Sequence, residues 1–138
     1  MNEFLSLFTQ SSKLLREAAD EAMSRHGVRV GQNIILEALW EQDGLTPGEI
    51  ARRQHLSTPT VVNGATRMED AGLVTRKRDG TDARLVRLYL TPRARAIRQA
   101  IEDERSALEQ RATSTLTGQE RRHLNSALAK IIQALSAD

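Results

Sequence analysis

The chain alternates between stretches in which apolar residues return every three or four positions and short polar interruptions, the pattern of amphipathic helices. Phe4, Leu7, Phe8, Leu14, Leu15, Ala18 and Ala22, with Ser11 among them, share one face of a first long helix. Leu124, Leu128, Ile131 and Leu135 share one face of a last. Between these ends, Ile34, Ile35, Ala38 and Leu39 mark a second helix, residues 46–53 a short third and residues 57–71 a fourth. Gly72 is placed to take the left-handed conformation that stops the fourth. The period then changes. Leu73-Val74-Thr75-Arg76-Lys77-Arg78 and Arg84-Leu85-Val86-Arg87-Leu88-Tyr89-Leu90 flank Asp79-Gly80-Thr81-Asp82, which predicts a hairpin turning on the Asp-Gly pair. Two long helices follow, giving a mainly α fold with a small β-hairpin.

Helix starts are marked by side-chain oxygens able to accept from the unpaired amides of a first turn. Thr46-Pro47-Gly48-Glu49 and Thr117-Gly118-Gln119-Glu120 both have capping-box spacing, and Thr91-Pro92 puts proline at the first helical position. Asn2 and Ser57 are further candidate caps.

The third and fourth helices, joined across Arg53-Gln54-His55-Leu56-Ser57, have the spacing of a helix-turn-helix, with small Ala51 at the crossing and Leu56 beneath the turn. The hairpin that follows makes it a winged one. At 100° per residue, Val61, Ala65 and Met68 fall on one face of the fourth helix, and Pro59, Val62, Asn63 and Thr66 on the other. The second face is small, uncharged and rich in donors, acceptors and methyls. It suits a major groove, where Asn bonds an adenine edge and Val or Thr methyls meet a thymine methyl. Thr58, Thr60 and Arg67 flank it, placed for phosphates. An ordinary solvated helix surface, the alternative, usually carries Glu and Lys instead.

Charge changes the picture locally. The net charge is only +2, yet the isoelectric point is about 9.5. Residues 73–100 hold Arg76, Lys77, Arg78, Arg84, Arg87, Arg93, Arg95 and Arg98 against Asp79 and Asp82, a local excess of six. Such a cluster repels itself without an anionic partner. A basic hairpin beside a polar helix can follow a duplex and dip its tip into the minor groove. For Asp82 and Arg84 the plainer alternative is a surface pair steadying the hairpin. Arg52 and Arg53 are equally readable as phosphate contacts or as solvated arginines.

These residues resemble the MarR (multiple-antibiotic-resistance regulator) family of winged helix-turn-helix transcription regulators. Asp82-Ala83-Arg84, leading into Leu88-Tyr89-Leu90-Thr91, is similar to that family's wing signature, and Ser57 to Glu69 followed by Gly72-Leu73-Val74 to its recognition helix and exit. The resemblance implies that Arg84 enters the minor groove, that Asp82 orients it, and that residues 57–67 read the major groove. It also implies a homodimer held by the first and last two helices, repression, and release by small, often phenolic, anionic ligands. Three positions depart from the family pattern: Gly64 stands in place of a core leucine, His55 in place of a turn glycine, and Ala94 in place of a glycine after the Leu-Thr pair. The expected DNA contacts are thus Thr58, Thr60, Val62, Asn63, Thr66, Arg67, Arg76, Lys77, Arg78, Asp82 and Arg84.

The 138 residues fit one domain. Residues 1–30 and 92–138 are expected to form the dimerisation helices, and residues 31–91 the winged lobe. Aromatic residues make up only 3%, so the terminal stripes are expected to bury against a second copy. The paired recognition helices would then meet a near-palindromic site. Without cysteine there is no disulfide, no thiolate nucleophile and no thiol switch. His26, His55 and His123 have no ligand spacing, so neither metal nor cofactor is expected. The start MNEFLSLFTQSSKLL lacks the basic lead and apolar run of a signal peptide, and no run approaches a membrane span, which leads to the expectation of a soluble, cytoplasmic protein. Trp40 is readable as core or as the wall of an effector cavity, and Arg16 as a solvated arginine or as the cation greeting an acidic effector. A constitutive or architectural DNA binder and a helical protein-binding dimer are the alternatives. An enzyme is the weakest reading, because no phosphate loop, triad or paired-carboxylate spacing is present.

Overall fold

In a computed structural model describing residues 2–136, the chain forms α1 (Glu3–Ser24), α2 (Gln32–Glu41), α3 (Pro47–Gln54), α4 (Thr58–Asp70), β1 (Val74–Arg78), β2 (Val86–Leu90), α5 (Pro92–Ala96), α6 (Arg98–Ala112) and α7 (Gly118–Ser136). Met1, Ala137 and Asp138, included in the expected domain, lie outside the described residues. The expected architecture of helices and one hairpin is present.

Most of the predicted caps are formed. Thr46 accepts from the Glu49 amide while the Glu49 carboxylate accepts from the Thr46 amide, closing the capping box of α3. Ser57 and Thr91 cap α4 and α5 by accepting from the Thr60 and Ala94 amides, with no return bond, and Thr117 and Glu120 form the reciprocal pair at the start of α7. Asn2 is the exception, since its side chain makes no capping bond to α1. Between α3 and α4, His55 takes the left-handed conformation at φ 55°, which His tolerates better than most residues. Gly72 does the same after α4 at φ 76°.

The buried core is built entirely between Ala22 and Ile101. Met23 and Val28 meet Leu36 and Leu39 of α2, Ile50 of α3, Val61, Ala65 and Met68 of α4, and Leu73, Val74, Leu88 and Leu90 of the hairpin. Ile101 closes it from α6. The hairpin is antiparallel, from Val74 opposite Leu90 to Arg78 opposite Val86, and Leu45 adds a bridge to Leu88 as a fragment of third strand.

Two expectations are corrected. The strands do not turn on Asp79-Gly80: the ladder ends at Arg78 and Val86, and residues 79–85 form a seven-residue tip. The Asp79 carboxylate is the reason, because it accepts from the Thr81 and Asp82 amides and folds the chain around itself. The first post-hairpin helix is also interrupted, at Ile97. There Trp40 Nε1 donates to the Ala94 carbonyl (3.1 Å), the acceptor that an unbroken helix would offer to the Arg98 amide.

Gly64 explains how close α2 and α4 approach. A Cβ at that position would lie 2.9 Å from Ile35 Cδ1, so Ile35 occupies the volume that a larger residue at 64 would fill. Gly64→Leu is therefore expected to destabilise the chain by about 1–3 kcal/mol through overpacking, and adding Ile35→Ala to recover part of the loss. Urea unfolding at one fixed protein concentration measures both, and a Gly64→Leu variant as stable as wild type would contradict this account.

Candidate nucleic-acid interface

The helix-turn-helix divides α4 cleanly. Val61, Ala65 and Met68 are fully buried, whereas Thr58, Pro59, Thr60, Val62, Asn63, Thr66 and Arg67 are exposed. The expected reading face is therefore a real surface, held outward by the packing of its opposite side. Thr60 Oγ1 is shared with the cap at Ser57 (2.7 Å). Thr66 Oγ1 donates to the Val62 carbonyl (3.1 Å) and accepts from Arg76.

Wing and recognition helix are tied together at that point. The Arg76 guanidinium on β1 reaches both Thr66 and the Glu69 carboxylate of α4, 3.3 Å away. Arg76, expected as a DNA contact, here fastens the first wing strand to the recognition helix.

At the wing tip, Asp82 accepts from the Arg84 amide (3.0 Å), from Arg84 Nε (3.1 Å) and from its terminal nitrogen (3.2 Å). This two-pronged grip fixes the start of a side chain that remains 90% exposed. Arg84's side chain and amide hold the Asp82 carboxyl below its ordinary range. Arg78 Nη1 donates to the Ala83 carbonyl (2.8 Å), and Lys77 lies over the Tyr89 ring, 5.4 Å from its centroid. Asp79 is the most heavily bonded group of the wing. Arg87, the Thr81 hydroxyl and the Asp82 and Thr81 amides hold its carboxyl far below the carboxylate range.

The self-repelling cluster read from the sequence is largely neutralised. Arg76 pairs with Glu69, Arg84 with Asp82, Arg87 with Asp79 and Glu49, Arg95 with Asp43, and Arg98 with Glu102. Four of those carboxylates, Asp43, Glu49, Glu69 and Glu102, lie outside residues 73–100, so a charge count over that window could not find them. Arg93 donates to the Ala71 carbonyl. The role of Arg87 in particular was missed, since a cation in a strand gives no sign of its acceptors.

A sequence profile described as MarR family matches residues 26–85, the segment that carries the helix-turn-helix and the wing as far as Leu85. Over that segment the chain is similar to the MarR family. It is 26% identical over 129 residues to the HTH-type transcriptional regulator MgrA of Staphylococcus aureus, covering 94% of this chain and 86% of that protein. It is 34% identical over 76 residues to the HTH-type transcriptional regulator TtmR of Methylorubrum extorquens, covering 55% of this chain and only 39% of TtmR. A solved Staphylococcus aureus MepR–DNA complex superposes with a TM-score of 0.87 at 26% identity, covering 95% of this chain and 97% of that one. These MarR-family relatives are transcription regulators, not enzymes.

Trp40 is half-buried and packs against the core. It also lines a cleft of about 520 Å³ together with Glu37, Arg53, Gln54, Arg98 and Arg105. Trp40 thus lies at the edge of the core and on a cleft. Arg16 is exposed on α1 and is not among the residues lining that cleft. Burial raises the Glu37 carboxyl above the ordinary glutamate value, opposed by Arg105, whose guanidinium lies 2.9 Å away, and by Asn33. An acid whose pKa is higher folded than unfolded favours the folded state at low pH, and that contribution is lost as pH rises through the interval between the two values. Wild-type stability is accordingly expected to fall across the interval just above the ordinary glutamate pKa, and Glu37→Gln to flatten that fall. Urea midpoints measured from about pH 4 to about pH 7 test this; equal slopes in the two proteins would rule Glu37 out as the source.

Proposed function

We propose that this protein is a homodimeric repressor that occupies a near-palindromic DNA operator and is released by a small acidic or phenolic ligand. The observation that carries the reading is the outward, uncharged polar face of α4, with Val62, Asn63 and Thr66 at its centre and the exposed Arg84 on the adjoining wing. Thr58, Thr60, Val62, Asn63 and Thr66 supply base or sugar contacts. Arg67, Lys77 and Arg78 neutralise phosphates, and Arg84, oriented by Asp82, enters the minor groove. Arg76 reaches the duplex only from its place beside Thr66. The DNA complex of the related MepR supports the same use of the fold.

Dimerisation is supported by the apolar surface at both ends of the chain. Phe4, Leu7, Phe8, Leu14, Leu15, Leu124, Ile132 and Leu135 are exposed, and α7 has no buried residue. A monomer exposing two such stripes would be an aggregation hazard. In this reading a second copy covers them and the dimer arm is drawn from the ranges 1–30 and 92–138 beside the winged lobe of 31–91, with Ala22, Met23, Val28, Ala94 and Ile101 of those ranges packing into the lobe's own core. Two recognition helices then lie about 34–36 Å apart, one turn of duplex. The cleft beside Trp40 is the proposed effector site, with Arg16 contributing only if the partner copy brings it there. Without cysteine in the chain, release by thiol oxidation is excluded, which favours a ligand. The absence of any helix long and apolar enough to cross a membrane among the described residues and the family's work on DNA fit a cytoplasmic site of action.

Fluorescence anisotropy on a duplex that the wild-type protein selects from a randomised library tests the reading. Arg84→Ala is expected to weaken binding about tenfold, and Arg78→Ala to lower the salt slope by about one counterion. Phenolic acids are expected to reduce affinity for the duplex. If neither substitution changes binding, the assigned roles are wrong; if no acid does, the protein is a constitutive binder. Leu15→Asp is expected to yield a monomer in sedimentation experiments and to lose tight operator binding with it, whereas an unchanged dimer would remove α1 from the proposed interface.

A further inference from the structure

Resting on the DNA-binding reading above, we propose that Arg87 is a positioning residue for operator recognition, acting on the duplex through the wing tip without touching DNA itself. Arg87 sits within β2, and its guanidinium joins three separate segments of the chain. Nε donates to Asp79 Oδ1 (2.6 Å), Nη1 donates to the Gly44 carbonyl (2.9 Å), and Nη1 also approaches Glu49 Oε1 (3.5 Å). Those acceptors belong to the base of the wing tip, to the α2–α3 connection and to the first turn of α3.

The path continues to the tip. Asp79 Oδ2 accepts from the Thr81 amide (3.1 Å), the Thr81 hydroxyl (2.7 Å) and the Asp82 amide (2.9 Å). Asp82 in turn grips Arg84. An unbroken series of hydrogen bonds therefore runs from the body of the helix-turn-helix, through Arg87 and Asp79, to the arginine proposed for the minor groove. The Arg87–Asp79 pair is half-buried, and the consequence of the series is geometric: it gives the tip one orientation relative to α3.

The chemistry of the side chain separates positioning from direct contact. A guanidinium can donate from Nε to one acceptor and from Nη1 to another, whereas a lysine has a single nitrogen on a flexible stem. Arg87→Lys preserves the charge a phosphate would need but not the bridge. Nη2 takes no part in these three bonds, so direct phosphate contact is the competing role that Arg87→Lys separates from positioning.

The full-length chain and the duplex selected by wild type provide the test, by anisotropy at about 150 mM salt. Arg84→Ala sets the scale with its loss of about tenfold. Arg87→Gln and Arg87→Lys are each expected to weaken binding about five- to tenfold. The Arg84→Ala/Arg87→Gln double variant is expected to bind within about twofold of Arg84→Ala, because the second change removes only what served the first. With Arg84→Ala weakened, either additive losses in the double variant or near-wild-type binding by Arg87→Lys overturns the positioning role and leaves the DNA-binding reading intact. If Arg84→Ala binds like wild type, the role assigned to Arg84 fails and the proposal with it; if wild type selects no duplex at all, the DNA-binding reading fails. Thermal unfolding checks that each variant folds. Should Arg87→Gln not fold, Asp79→Asn opens the same path from its other side and is held to the same two comparisons.

Discussion

The seating of a two-stranded hairpin on the helical lobe is the constraint on which the rest of the molecule depends. Two antiparallel strands alone are marginal in water, and a wing free to swing could not present Arg84 in one place. Burial supplies the anchorage. Val74 and Leu88 are 1% exposed and Leu90 is 8% exposed, and each apolar side chain sunk to that degree contributes about 1.5–3 kcal/mol. The Leu45–Leu88 bridge adds backbone bonds on the far side of β2. Asp43 accepts from the Leu90 amide (2.9 Å) and pairs with Arg95. The straps through Arg76 and Arg87 are weaker in energy than this apolar base, so the base holds the wing on while the straps set where it points.

The molecule is divided by burial as much as by sequence. Everything needed to fold the winged lobe lies between Ala22 and Ile101, and that lobe fills its interior without aromatic help: Trp40, only partly buried, spends its indole N–H on the Ala94 carbonyl at the lobe's edge. Beyond Ile101, α6 and α7 bury no further residue. In α7 no side chain is fully buried and only Leu128 and Ile131 are half-buried among its apolar stripe, yet most helical stability in proteins comes from packing an amphipathic face. The rest of that stripe needs another surface.

Sequence reasoning read local rules well and non-local ones poorly. Caps at Thr46, Ser57, Thr91 and Thr117 depend on residues three positions apart, and the buried positions Val61, Ala65 and Met68 that define the reading face on steps of four and three. The left-handed turns at His55 and Gly72 are likewise set by single residues. Long-range partners decided what was missed. The strand-like run Arg84-Leu85-Val86 starts two residues late because Asp79 gathers the tip amides to itself, and the helix at 92–112 breaks because an indole from α2 takes one of its carbonyls. Gly64, a departure by family pattern, becomes intelligible only when Ile35 is found in the space it leaves.

The charge pattern shows the same lesson and carries it toward function. Counted along the chain, residues 73–100 look like a strongly basic patch; in the folded lobe most of those guanidiniums meet carboxylates or carbonyls. Non-specific DNA affinity comes from unpaired cations releasing counterions, and pairing lowers their number: of the eight in residues 73–100, Lys77, Arg78 and Arg93 have no carboxylate within ion-pair distance among the described residues, with Arg52, Arg53 and Arg67 outside that window. Fewer free charges means weaker attraction to arbitrary sequence, and so a larger share of any binding must come from shape and from base-edge contacts. The neutral, methyl-bearing face of α4 and the single outstretched Arg84 are the parts of this surface suited to provide them. A lobe that used its arginines chiefly to hold itself together would discriminate between sequences better than its isoelectric point suggests.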